Sequence, residues 1–159
     1  MVSENGEKPT KAEQATLLLI GSRLSAGEAE TLELGLQSDP NNLQSRIRLF
    51  GFYNERLAQR ELSTLDQVDA RLVKHLRWLI LMKPVLPTIP DLVMPGYLAC
   101  SLEQLRSLYE IWLDALDAHE HTFPLLLNAI VFLTVFGCDM ELCDRLTLKL
   151  EDLDQEGGH

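Results

Sequence analysis

The sequence predicts an all-α fold of about seven helices, on three observations. Apolar residues recur three or four positions apart over most of the chain, the spacing that gathers them on one helix face. Thr10-Lys11-Ala12-Glu13, Ser25-Ala26-Gly27-Glu28 and Ser101-Leu102-Glu103-Gln104 each have capping-box spacing just before such a stripe. There the hydroxyl accepts from the third helical N–H and the acid or amide side chain returns to the cap N–H. No segment alternates with period two for long, and no Asn-Gly or Asp-Gly hairpin signal sits between strand-like runs.

Residues 1–9 read as a disordered lead, 10–154 as a single helical domain and 155–159 as a disordered tail. The first helix covers about 11–22, behind the Thr10 box. The second opens at Ser25 and runs to about Gln37, where Asp39-Pro40 stops it. Proline has no N–H to donate and pushes its predecessor out of helical geometry. The third runs from about Asn42 to Gln59, with Leu43, Ile47, Leu49, Phe50, Tyr53 and Leu57 on its apolar side. Ser63 caps a fourth, whose stripe is Leu65, Val68, Leu72, Leu76, Leu79 and Ile80, and Pro84 ends it. Five helix breakers, Pro84, Pro87, Pro90, Pro95 and Gly96, make 84–100 an irregular connection, read as an extended strap across the helices. The fifth helix follows Ser101 to about Ala118, with Leu102, Leu105, Tyr109, Trp112 and Leu116 on one face. Thr122 caps the sixth, Pro124 is tolerated in its first turn, and Gly137 suits the left-handed residue after it. Asp139 caps the seventh, to about Leu153, with Cys143, Leu146, Leu150 and Leu153 in register.

The chain has 159 residues, enough for one domain with a real core. Its net charge of −10 argues against general nucleic-acid binding, which needs a basic surface. The charge is uneven. Residues 43–83 carry eight basic and four acidic side chains, whereas 101–159 carry three basic and twelve acidic. Either the two kinds of surface face each other or water, or the basic strip receives an acidic partner segment. Cys100, Cys138 and Cys143 cannot all pair within one chain, and none lies in a C-x-x-C, which fits a reducing cytoplasm. Met1 to Lys11 lacks the apolar run of a secretory signal. Phe123 to Phe136, about 14 residues, is the longest apolar stretch, too short to span a bilayer and read as a buried helix.

The turn Asp39-Pro40-Asn41-Asn42 resembles the joint that closes one tetratricopeptide unit and opens the next. Leu49 and Tyr53 fall where that family places a leucine and an aromatic; Gly51 stands one position later than its usual glycine, so close helix packing there is not implied. Pro40 to Pro84 is about ten residues longer than the family unit. A weaker match covers Thr122 to Asp154: Asn128-Ala129 lies in a first helix and Cys143 takes a usual alanine position. Leu150-Glu151-Asp152-Leu153-Asp154 resembles the unit's end without its proline. Residues 24–53 and 69–154 also resemble bacterial tetratricopeptide-like proteins, through Arg46, Leu49, Gly51 and Tyr53; His75, Trp78, Leu79 and Ile80; Trp112 and Leu113; and Asn128 and Ala129. The resemblance implies antiparallel hairpins stacked in a short right-handed solenoid or a compact bundle, in a bacterial cytoplasm. It implies a groove lined by the first helix of each pair, with Gln44, Arg48, Asn54, Glu55 and Asn128 on it.

Chemistry has few candidates. His119 and His121 are two apart beside Glu120, whereas metal-binding histidines on a helix prefer spacing of three or four. Histidines near a helix C-terminus favour the negative end of its dipole, which is their default explanation. Cys138 and Cys143 are five apart, too far for a usual zinc pair, and a thiol nucleophile needs a base the sequence does not place. Asp114 with Asp117, and Glu151 with Asp152 and Asp154, read as solvated surface charge. The third helix gathers Arg46, Arg48, Arg56 and Arg60, read either as solvated stems over apolar neighbours or as a clamp for an acidic peptide. The sequence therefore predicts a non-enzymatic scaffold or adaptor with no cofactor and no metal, holding a protein or peptide partner, an acidic one if the basic strip receives it. Nucleic acid and membrane are not expected partners. The alternatives are an obligate or self-associating accessory subunit, and a small metal- or thiol-dependent protein using His119, His121 and Cys138.

Overall fold

A computed structural model describes residues 9–59, 65–84, 86, 102–137 and 139–157. The described residues contain seven helices and no strand. They are α1 (Lys11–Ser22), α2 (Ala26–Ser38), α3 (Leu43–Ala58), α4 (Leu65–Met82), α5 (Leu102–Ala118), α6 (Phe123–Phe136) and α7 (Met140–Gly157). The expectations for residues 1–8, the Ser63 cap, the Ser101 box, most of the 84–100 strap, Cys100 and Cys138 lie outside the described residues. No described helix is long and apolar enough to cross a membrane.

Local chemistry sets most of the boundaries. Thr10 accepts from the Glu13 N–H at 3.3 Å while Glu13 takes the Thr10 N–H at 2.7 Å, and Ser25 and Glu28 repeat the exchange at 3.3 and 2.8 Å. Both glutamates are held below the usual carboxylate range, first by those backbone N–H groups. Asn42 caps α3 by accepting from Ser45 N–H at 2.9 Å, and Asp139 caps α7 through Leu142 N–H at 2.9 Å. Thr122 stands at the α6 cap position with no side-chain cap bond, and Gly137 closes α6 at φ 57°, in the left-handed region. Helix α7 runs on to Gly157, beyond the expected start of the tail.

The helices form a bundle hinged on α3, which packs against α1, α2 and α4; α4 meets α5, α5 meets α6, and α6 meets α7. Helices α1 and α2 each pack on α3 more than on each other. Ile47, Leu49 and Phe50 of α3, Leu79 and Ile80 of α4, Leu108 and Trp112 of α5, and Leu125 and Phe132 of α6 are almost wholly buried. On α5 the buried face is Leu108, Ile111, Trp112 and Ala115; Leu102, expected in the stripe, is 86% exposed because it opens the helix beyond its neighbours.

The α1–α3 crossing is backbone against backbone. A Cβ on Gly21 would stand 2.1 Å from the Arg48 carbonyl oxygen, and one on Gly51 2.4 Å from that of Leu18. Close packing at Gly51, which the shifted register did not imply, is therefore present, and glycine is what permits it. Beyond α4 the chain turns at Pro84, and Asn128 of α6 donates both to the Pro84 carbonyl at 2.7 Å and to that of Leu86 at 3.2 Å.

Candidate functional site

The expected groove residues do not converge. Gln44, Arg48 and Glu55 share with Gly51 the face of α3 that α1 crosses, so α1 lies along the surface expected to hold a partner. Gln44 is exposed, Arg48 and Asn54 are half-buried, and Glu55 accepts from Gln59 at 2.8 Å. Arg48 Nε and Asn54 Oδ1 are buried without a hydrogen-bond partner. Asn128 is buried on α6, which packs chiefly on α5 and α7, and its amide is spent on the Pro84 and Leu86 carbonyls. It acts as an anchor inside the bundle.

What converges instead is a buried polar chain where α2, α3 and α4 meet. Glu33 of α2 takes His75 Nε2 at 2.7 Å, the Tyr53 hydroxyl at 2.9 Å and Lys74 Nζ at 3.2 Å. His75 is fully buried on α4, and its Nδ1 faces Arg46 Nη1 at 3.3 Å. Guanidinium can only donate, so Nδ1 is the bare nitrogen and Nε2 carries the proton given to Glu33. Arg46 also donates from Nε and Nη2 to the Pro40 carbonyl, at 3.3 and 2.9 Å, and lies 4.9 Å from the Trp78 ring centre. Tyr53 stacks on the imidazole at 5.8 Å and receives Arg71 Nη1 at 3.2 Å; Arg71 also approaches Glu30 at 3.7 Å. An open cleft of about 330 Å³ lies over this chain, lined by α2 residues such as Glu30, Glu33 and Leu34 and by Arg46, Arg71 and Lys74.

The electrostatics follow from burial and pairing. Burial pushes the Glu33 carboxyl up, but hydrogen bonds from His75, Tyr53 and Lys74 outweigh it and hold it at about 2. Burial lowers His75 and outweighs the pull of Glu33, which keeps the ring neutral. Burial raises Tyr53 to about 12 and depresses Arg46, partly offset by Glu33. Arg71 and Lys74 of the basic strip are thus paired with the α2 acids Glu30 and Glu33, whereas its charge pattern pointed to residues 101–159, to water or to a partner segment. The strip's Arg56 lies over the Phe52 ring at 5.1 Å.

A second feature is the outer side of α6. Its 14 residues contain no charged side chain, and only Asn128 and Thr134 are polar apart from the backbone. Phe123, Leu127 and Val135 are 44, 40 and 45% exposed, with half-buried Val131 between the last two. They stand at every fourth position and form one apolar ridge.

The histidines expected as a metal alternative serve helix ends. His119 Nε2 donates to the Leu81 carbonyl in the last turn of α4 at 2.6 Å, and His121 Nε2 to the Leu116 carbonyl of α5 at 2.9 Å, while Lys149 meets His121 Nδ1. Cys143 is buried and unpaired against the Thr134 hydroxyl. Among the described residues no three His, Cys, Asp or Glu side chains gather as a metal site.

The chain matches no protein-family model, no curated protein and no solved structure.

Glu33, Arg46, Tyr53, His75 and Trp78 carry the polar chain, and the groove expected on α3 did not include them. A signal was present: Arg46 and His75 fall in register with the apolar stripes of their helices, where an unpaired charge is costly. Their partners are 29 to 42 residues apart, beyond the reach of local patterns.

Proposed function

We propose that the chain is a non-enzymatic protein-interaction module, tetratricopeptide-like and cytoplasmic, that docks the apolar face of a partner's amphipathic helix on the α6 ridge. One observation carries this reading: α6 is apolar on every side, yet Phe123, Leu127 and Val135 stay in solvent. A helix hydrophobic all round normally sits in a core. A bare apolar ridge marks a contact surface. Residues four apart make a continuous row that seats between the side-chain rows of a second helix. From Phe123 to Val135 the row is about 18 Å long, matching about three turns of a partner helix. The ridge has no charge of its own, so it favours an apolar helix face over the acidic peptide to which the basic strip pointed.

The test is capture of partners from source lysate by three proteins: the intact chain, Leu127→Glu, and Arg48→Glu with Asn54→Ala. A partner kept by the α3 double variant and lost by Leu127→Glu supports the ridge. The reverse pattern moves the interface to the α3 face. Equal retention by all three overturns both sites.

A further inference from the structure

Helix α2 depends on polar contacts to an unusual degree. It buries only Ala29 and Leu36, whereas α3 buries eight residues. Leu32 adds a half-buried contact with the core, and the helix's polar hold is Glu33, bonded at once to α3 and α4, with Glu30 near Arg71. Arg46 adds a second hold, because the Pro40 carbonyl it grips belongs to the turn joining α2 to α3. His75 stands between the two holds.

We propose that the Glu33–His75–Arg46 chain is a proton-sensitive clasp, and that a proton taken up by His75 releases α2 from α3 and α4. The geometry leaves the ring no other accommodation. A proton on Nδ1 would place two N–H donors face to face across 3.3 Å, on a ring that itself has no solvent exposure. Arg46 is pinned by two bonds to Pro40 and lies over Trp78, so it cannot turn aside without loosening the α2–α3 turn. The imidazole is fixed by Tyr53 stacking and by its bond to Glu33. The charged groups acting on it are Glu33 from α2, Arg46 from α3 and Lys74 on α4 itself, with Tyr53 the other titratable neighbour. Glu33 alone favours the proton; Arg46, Lys74 and burial oppose it. Opening would free the α2 face around Leu36 and uncover the Arg46–Tyr53–Trp78 floor.

The test is amide hydrogen exchange of the full chain at pH 7.5, 6.5 and 5.5, corrected for intrinsic exchange. Opening of α2 amides around Ala29 to Leu36 should rise about tenfold per pH unit below the ordinary histidine value near 6.5, while α6 amides stay level. His75→Gln still accepts from Arg46 and donates to Glu33 but cannot titrate, so the pH dependence should vanish. Protection that is flat across the range, or a dependence that survives His75→Gln, overturns the proposal. If His75→Gln does not fold, ring ¹⁵N shifts of the intact chain decide. The Nε2–H tautomer should persist until α2 opens, and a ring that titrates with α2 still protected also overturns it.

Discussion

Replacing glycine by alanine should have opposite effects at different helical positions of this chain. A Cβ at Gly51 would sit 2.4 Å from the Leu18 carbonyl oxygen and 3.2 Å from its carbon, both backbone atoms that cannot rotate away. Relieving that clash means moving α1 by about 1 Å, and overpacking of this kind costs roughly 1–3 kcal/mol. Alanine's better helix propensity returns up to about 1 kcal/mol. The net is a loss of about 1–2 kcal/mol for Gly51→Ala, and similarly for Gly21→Ala, where the approach is 2.1 Å. At Gly35 of α2 a Cβ meets nothing within 4 Å, so the propensity gain stands alone at about 0.5–1 kcal/mol. Urea unfolding followed by circular dichroism should therefore separate Gly51→Ala from Gly35→Ala by about 2 kcal/mol at unchanged m-value. Equal stabilities for the two variants would refute the backbone-to-backbone crossing.

Other outcomes follow from the polar chain, the Asn128 anchor and the ridge. Glu33 is held at about 2 against a usual 4.5, so its contribution is complete above pH 4.5 and is lost between 4.5 and 2. Discounted for its partly open cleft, that step is about 2 kcal/mol in an acid-unfolding series, and Glu33→Gln should remove it. His75, lowered by burial, contributes stability that is whole above its ordinary value and lost as pH falls below about 6.5, an earlier step that His75→Gln should abolish. Asn128→Ala leaves the Pro84 and Leu86 carbonyls without their donor and should cost about 2 kcal/mol in thermal unfolding. Leu127→Glu, on the exposed ridge, should change stability by less than about 0.5 kcal/mol while altering binding.

Much of the scaffold was legible because its causes are local. The Thr10 and Ser25 boxes, Asn42, Asp139 and Gly137 act within four residues of where they stand, and they mark the starts of α1, α2, α3 and α7 and the close of α6. The stripe of α4 predicted Leu72, Leu76, Leu79 and Ile80 as core, and they are buried. Relations between helices were less legible. A stripe does not say which helix lies over Gly51, and the approach of Leu18 depends on how α1 crosses α3. The resemblance puts Gln44, Arg48, Asn54 and Glu55 on a groove side of α3; Gln44, Arg48 and Glu55 share one face of that helix, but α1 crosses it. Asn128 stands on the groove by resemblance, and its bonds to the Pro84 and Leu86 carbonyls, 42 to 44 residues away, are beyond local patterns. The partnership of Glu33 with His75 spans 42 residues, which only the folded chain closes.

Carbene footprinting of the chain tests the α6 docking surface most directly, comparing dilute purified protein with the same protein in source lysate. If a partner helix docks there, Phe123, Leu127 and Val135 label strongly in the purified protein and are protected in lysate, while exposed Leu102 labels equally in both. Equal labelling of the ridge in the two samples would contradict the proposed function.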